Sequence, residues 1–454
     1  MVRVHLGVPF RYHDGKGKIY KSKITQNIWG EEVNSVRLSK ETKIKLHTNE
    51  AVAVAKMCYA ASKLWNVCNY ERRNHKALGF ESFPDWYYQK AAHKGDVWYK
   101  SLPSQTAQEV CKTLDKSWKS FFALLKCGGQ NPRPPCFKHE NIPITYMQNG
   151  IVQMNNGKVR LSISRQLKEH IFASCGFHVE YIYLDNVVFQ SMDNIKQIKL
   201  YPPDKKGVCR TIIVYEVDAP DVFPDNGKYL SVDLGINNPF TCYDSANGHS
   251  FILGHRFNAI AQYYNKTIAR YSGISASEQT ALGVRYPKPS SRVLRLYRRK
   301  NNSLKDYLHK CTRYIVNYCV ENDIRTLVIG DIAGVRNGKN LGHKTNQRFH
   351  SFPYDQVYQM LEYKCALCGI GFAKVSEAYS SQCSPFSPMV DKAYADNKNR
   401  VKRGLFKYGS AVWNADSVGA YNILRIYLRM QGLLFADSAR CAALSSPTYI
   451  KVAV

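Results

Sequence analysis

Residues 229–237 read Tyr229-Leu230-Ser231-Val232-Asp233-Leu234-Gly235-Ile236-Asn237. A short apolar run that ends in a glycine turn is the pattern of a buried strand, and FTCYDSANGHSFIL at 240–253 supplies its return. One carboxylate on such a strand costs free energy unless a cation or hydrogen-bond donors neutralise it. Asp233 is therefore either a satisfied structural residue or one ligand of a metal, and its company decides between them.

That company lies downstream. A long helical pattern, 291–323, precedes a second buried strand, TLVIGDIAG at 326–334. A helix at 354–368 precedes a third, FAKVSEAYSS at 372–381, and VWNADSVGAYNILRIYLRM at 412–430 opens a helix whose first turn holds Asp416. Strand-borne carboxylates at Asp233 and at Asp331 or Glu377, with a helix-borne one at Asp416 and crossover helices between, suit an RNase H-like α/β core. Such a core holds two Mg²⁺ ions about 3.5–4 Å apart for phosphodiester hydrolysis.

Upstream the pattern changes. Residues 1–47 mix short β-type runs with turns, and apolar positions from Ala51 to Trp65 recur at helical spacing. In 104–126 the positions Val110, Leu114, Trp118, Phe121, Phe122 and Leu125 form one stripe, with Lys112, Lys116 and Lys119 off it as a basic face. The loop GGQNPRPPCFKHENIP at 128–143 ends that helix. Runs at 158–164, 186–192, 194–202 and 210–219 then alternate as antiparallel strands do, so a helical insert within a β-domain is expected. Two prolines and a glycine in 217–229 place a domain boundary near residue 226.

The 454 residues allow two or three domains, and no apolar run reaches the roughly 18–20 residues of a membrane span. The N-terminal stretch lacks the apolar core of a secretion signal, so a cytoplasmic, reducing location and no membrane partner are expected; 14 scattered cysteines then read as free thiols. Against 35 Asp and Glu stand 64 Lys and Arg, a formal charge of +29. A polyanion is the natural partner, and 31 Tyr and 19 Phe supply faces on which bases stack. A merely solvated basic surface, or an anionic membrane, is the alternative. Arg292, Arg295, Arg298, Arg299 and Lys300 fall on about two helical turns and suggest a channel face toward nucleic acid.

SVDLGIN (231–237), the segment 328–370, SEAYSSQCS (376–384) and KRGLFKYGSAVWNADSVGAYNILR (402–425) together resemble the TnpB proteins of bacterial insertion sequences and the compact type V CRISPR effectors. The resemblance is ordered across 227–428 and weaker at 102–122 and 131–138. It implies an RNase H-like RuvC nuclease domain (227–428), and an N-terminal oligonucleotide-binding wedge β-barrel (1–47 and 129–226) carrying a helical recognition insert (48–128). Residues 429–454 stay unassigned. The implied activity is RNA-guided DNA cleavage at one metal-dependent RuvC site, with guide RNA and target DNA as partners and Mg²⁺, or Mn²⁺ in its place, as cofactor.

Two departures from that family matter. Its usual Glu in the second motif strand is replaced by Gly330; one branch instead carries a Glu after the next strand, which Glu377 of SEAYSS matches. The resemblance thus gives Asp233, Glu377 and Asp416 as catalytic and metal-binding residues, with Asp331 as the competing third ligand. Relatives also carry a four-cysteine zinc ribbon, whereas the interval between the last two motifs here offers only Cys383, and Cys365-x-x-Cys368 lies in a helical pattern, so no zinc is expected. Tyr70, Arg72 and Arg73 sit where the family reads a short target-adjacent motif and clamps the duplex. The competing function is a cleavage-deficient RNA-guided DNA binder that acts as a repressor; a DNA-joining transposase lacks its tyrosine and paired-histidine motif.

Overall fold

The computed structural model describes residues 24–26, 32–129, 131–154, 157–332, 351–402, 404–433 and 444–453. Most of the strands expected in 1–47, the stretch 333–350 of the second motif and part of 429–454 lie outside these. The chain divides into two compact units, Ser35–Val217 and the described parts of Met1–Asn34 with Asp218–Val454.

In the smaller unit, β1 (Glu32–Lys45) is followed by α1 (Thr48–Arg73), α2 (Trp86–Ala92) and α3 (Ser104–Lys126). Then come β2 (Ile144–Met147), β3 (Ile151–Gln153), β4 (Lys158–Ser162), α4 (Arg165–Cys175), β5 (Tyr181–Asp185), β6 (Ile195–Leu200) and β7 (Val208–Asp218). β1, β7, β6 and β2 lie side by side in that order, and β3, β4 and β5 form a second, antiparallel sheet. Hydrogen bonding closes neither sheet among the described residues, so the expected barrel is not shown. Residues 187–191, expected as strand, form a 3₁₀ helix because Asn186 caps the turn by accepting from the Val188 amide. α4 was not anticipated, although Ser164 caps it by accepting from the Leu167 amide and Gly176 ends it in the left-handed region.

The larger unit is a six-stranded sheet. Its elements are β8 (Tyr229–Asp233), β9 (Phe240–Asp244), β10 (Ser250–Leu253), α5 (Arg256–Ala281), α6 (Ser291–Glu321), β11 (Thr326–Asp331) and α7 (Tyr354–Ala366). β12 (Gly371–Ser376), the hairpin β13 (Leu405–Tyr408) and β14 (Ala411–Asn414), α8 (Ala415–Met430) and β15 (Thr448–Tyr449) complete it. The strand order is β12-β11-β8-β9-β10-β15. β8, β9 and β10 are antiparallel neighbours, while β11 and β12 run parallel to β8.

Strand alternation divides the core. Leu230, Val232, Leu327 and Ile329 pack under α6 and α7 with Leu308, Ile315, Val357 and Leu361, all buried. Tyr229 and Val328 face the other way, against Val418, Tyr421 and Ile423 of α8. No helix among the described residues is long and apolar enough to cross a membrane.

Candidate active site

Asp233 ends β8 on the side facing α8. The last β8–β11 pair is Val232 with Ile329, so Gly330 comes one residue beyond it, and Gly330 pairs in turn with Val375 of β12. Glu377 leaves the end of β12, and Asp416 sits in the first turn of α8, where Asn414 Oδ1 accepts from the amides of Asp416 and Ser417.

Two glycines make room for the carboxylates. A Cβ placed on Gly419 of α8 would stand 2.7 Å from Asp233 Oδ2. A Cβ on Gly330 would stand 2.9 Å from Glu377 Oε2 and 2.8 Å from Ile423 Cδ1. Glu377 thus occupies the volume above Gly330 into which a side chain from that position would grow. Asp331 belongs to the opposite set of the alternation, and Tyr358 of α7, whose hydroxyl donates to the Gly330 carbonyl at 2.9 Å, feels the charges of both Asp331 and Glu377.

The electrostatics tie the three acids together. Burial first, then the charges of Glu377 and Asp416, hold the Asp233 carboxyl well above the ordinary carboxylate range, and Arg400 and the Leu234 amide offset part of this. Asp416 Oδ2 accepts from Asn238 Nδ2 at 2.8 Å, and the Arg400 guanidinium stands 3.9 Å from Asp416 Oδ1. As they stand, no three His, Cys, Asp or Glu side chains among the described residues converge on one point. Like charges with one nearby guanidinium keep apart until a cation screens them. Hard oxygen donors on one face, with space preserved by two glycines, fit divalent magnesium.

Repulsion of this kind has a measurable consequence. The folded protein holds the Asp233 proton more tightly than the unfolded chain does. The contribution of Asp233 to metal-free stability is therefore fully present below the unfolded value of about 3.9 and is lost as pH rises through the raised folded value. Asp233→Asn should melt about 2–8 °C higher than the parent at pH 7.5 in chelator, the shift expected for about 1–2 kcal/mol in a unit of this size. It should also lose the stabilisation that millimolar Mg²⁺ gives the parent. Differential scanning fluorimetry with and without Mg²⁺ reads both; an unshifted variant that still responds to Mg²⁺ contradicts this account.

The expected nucleic-acid residues are arranged unevenly. Arg292, Arg295, Arg298 and Arg299 are all exposed on the first turns of α6, with Arg292 stacked 3.6 Å from the Tyr271 ring centroid. Lys116 and Lys119 are exposed, Lys119 pairs with Asp115 at 2.8 Å, and Lys112 pairs with Glu109 and lies over the Trp86 ring. Tyr70 is 53% exposed, and Arg73 donates to the Pro135 carbonyl and covers Phe137. Arg72 differs: it is 1% exposed, donating to Gln89 and Asp115. Its role as placed is to join α1, α2 and α3. All three line a hollow of about 840 Å³ whose other walls include Phe83, Trp118 and Phe122. The stripe of α3 is buried only as far as Trp118; Phe122, Leu124 and Leu125 are exposed.

Sequence reading missed Asn238, Arg400 and Gly419. Asn238 follows the Asp233 turn closely enough to be suspected; Arg400 lies in a loop with no periodic signal. Cys365 is buried under β11 and β12, whereas the Cys383 carbonyl accepts from Asn422 of α8 on the opposite face.

The family matches fall almost wholly in the larger unit. Residues 212–336 match the family model OrfB_IS605, described as a probable transposase, and residues 354–423 match the Cas12f1-like TNB domain. TNB domains typically bind zinc, so this match gives no support to a zinc-free chain. No curated protein matches the sequence. Among solved structures, a Cas12f1-sgRNA-target DNA complex aligns with a TM-score of 0.56 at 11% identity, covering 85% of this chain and 98% of that one. At that identity the likeness concerns the fold. CasPhi-2 (Cas12j) bound to crRNA and phosphorothioate-DNA aligns with a TM-score of 0.45 at 10% identity, over 90% and 94% of the two chains.

Proposed function

We propose that the chain is an RNA-guided DNA endonuclease that binds a structured guide RNA, recognises a short target-adjacent motif and cuts DNA at one RuvC-type site formed by Asp233, Glu377 and Asp416. The observation that carries this reading is that all three carboxylates occupy one face of the sheet, with Gly330 and Gly419 leaving the space for two of them. The strand order, three antiparallel strands continued by two parallel ones, supports an RNase H-like core. The two matched families and the fold shared with a guide-bound effector support the substrate class.

Two divalent cations held by these carboxylates would activate a water and offset the charge on the leaving 3′ oxygen. The chain's own groups prepare that chemistry. Asn238 fixes one oxygen of Asp416 and so orients the other toward the shared face. Arg400, beside Asp416 and 38% exposed at its side chain, can meet a phosphate oxygen of the strand to be cut. In this reading the helices 48–128 form a recognition part, the strands of 129–226 with those of 1–47 form the wedge, and the exposed arginines of α6 follow the guide–target duplex.

Purification with the native flanking DNA co-expressed is the test. A discrete RNA should co-purify, and affinity for it should fall by roughly 10³-fold or more between 50 and 200 mM salt, the loss expected of a protein that neutralises about six or more phosphates. With that RNA and Mg²⁺, DNA carrying a matching target should be cut. Stable RNA-free protein with no affinity for any RNA from its locus refutes the reading. RNA-dependent target binding without cutting under Mg²⁺ or Mn²⁺ establishes the repressor alternative, which the absence of the usual Glu at Gly330 keeps in play.

A further inference from the structure

The face of the large sheet turned away from the carboxylates carries a second concavity that the proposed cleavage does not use. It has a volume of about 540 Å³ and lies between α6, α7 and the segment after β15. His309, Lys310, Arg313, Lys364 and Lys451 line it, and no carboxylate among the described residues does. Among the described residues the one acid in contact with these cations is Asp306, which pairs with Lys310 at 2.9 Å from the previous turn of α6. Arg313 and Lys451 are exposed and have no ion-pair partner among the described residues.

Lys364 is the telling residue. A lysine on a helix surface ordinarily runs its stem along the protein and keeps the ammonium in water. Lys364 is only 2% exposed, and its Nζ donates to the His309 carbonyl at 2.8 Å and the Thr312 hydroxyl at 2.6 Å, both neutral. Burial, and then the neighbouring Arg313, push its pKa down to about 8. Burial and Lys364 lower His309 in the same way. A buried ammonium facing further cations opposes folding unless an anion joins them.

We infer that this basin binds a polyphosphate group, a di- or triphosphate carried by a nucleotide or by the 5′ end of an RNA. Five basic side chains around a hollow larger than orthophosphate suit an extended anion of several charges, and a guanidinium on the rim supplies paired donors for its oxygens. The inference concerns a face separate from the carboxylates and stands or falls independently of DNA cutting.

The test is calorimetric titration of RNA-free full chain with inorganic pyrophosphate at 300 mM salt, where diffuse attraction is screened. Saturable 1:1 binding is expected, weakened at least tenfold in Arg313→Glu/Lys451→Glu and unchanged in Lys205→Glu/Lys206→Glu, which makes the same charge change on exposed lysines of the other unit. Lys364→Met should melt higher than the parent without ligand and lose the upward shift that pyrophosphate gives. Competition with ATP and with a 5′-triphosphorylated oligonucleotide identifies the carrier: whichever displaces pyrophosphate at lower concentration is the better ligand. Equal weakening in both double variants, or no binding at 10 mM pyrophosphate, overturns the inference.

Discussion

Glu377→Gln is expected to abolish DNA cutting while leaving RNA-dependent target binding within about threefold of the parent. The amide keeps the volume above Gly330 but removes the charge that a divalent cation requires. Loss of several kcal/mol of transition-state stabilisation corresponds to about 10³-fold or more in rate. Asp233→Ala should be equally dead and serves as the reference. Asp331→Ala should retain substantial cutting, because strand alternation puts that carboxylate, one residue after Gly330, on the α7 face. Single-turnover cleavage beside an electrophoretic binding assay separates chemistry from recognition. Robust cutting by Glu377→Gln, or complete loss in a folded, target-binding Asp331→Ala, transfers the third role to Asp331.

Gly330→Ala should slow cutting by about 10- to 100-fold, although the new methyl group touches no nucleic acid. Its Cβ would meet Ile423 Cδ1 at 2.8 Å and Glu377 Oε2 at 2.9 Å. Ile423 is fully buried on the sheet-facing side of α8 and can yield little, whereas Glu377 is only partly buried at the end of a strand. Glu377 therefore moves, and a misplacement of about 1 Å costs roughly 10²-fold in catalysis. The overpacking should lower stability by about 1–3 kcal/mol. Adding Ile423→Val, which removes the colliding Cδ1, should restore part of both losses. Undiminished cutting by Gly330→Ala would show that Glu377 is not held in the position assigned to it.

The reading of the large sheet was legible because its central strands, β8 to β11, are buried on both faces and bounded by glycine, polar turns and long amphipathic helices. TLVIGD and FAKVS stand out as apolar runs, and α6 announces itself through Leu308, Cys311, Ile315 and Cys319 at helical spacing. The smaller unit was read less well. Residues 187–191 have strand-like composition, yet the Asn186 side chain offers the backbone a local turn, and such competition is invisible to periodicity. Arg72 shows the same limit: Tyr70-Glu71-Arg72-Arg73 reads as a basic surface, but a helix rotates successive residues by about 100°, and Arg72 points at Asp115.

What the sequence by itself determined is the inventory: a strongly basic chain, a lone acid on a buried strand, two more acids downstream at strand and helix ends, and a glycine at the position where relatives carry a glutamate. Only the tertiary structure decided which of these share a face. Side-chain direction alternates every residue along a strand, so whether Glu377 or Asp331 shares a face with Asp233 depends on the parallel register of β11 and β12 and on which side α8 packs. The meaning of Gly330 is likewise a matter of space: its missing side chain admits a carboxylate from 47 residues further on, and no one-dimensional pattern records that contact.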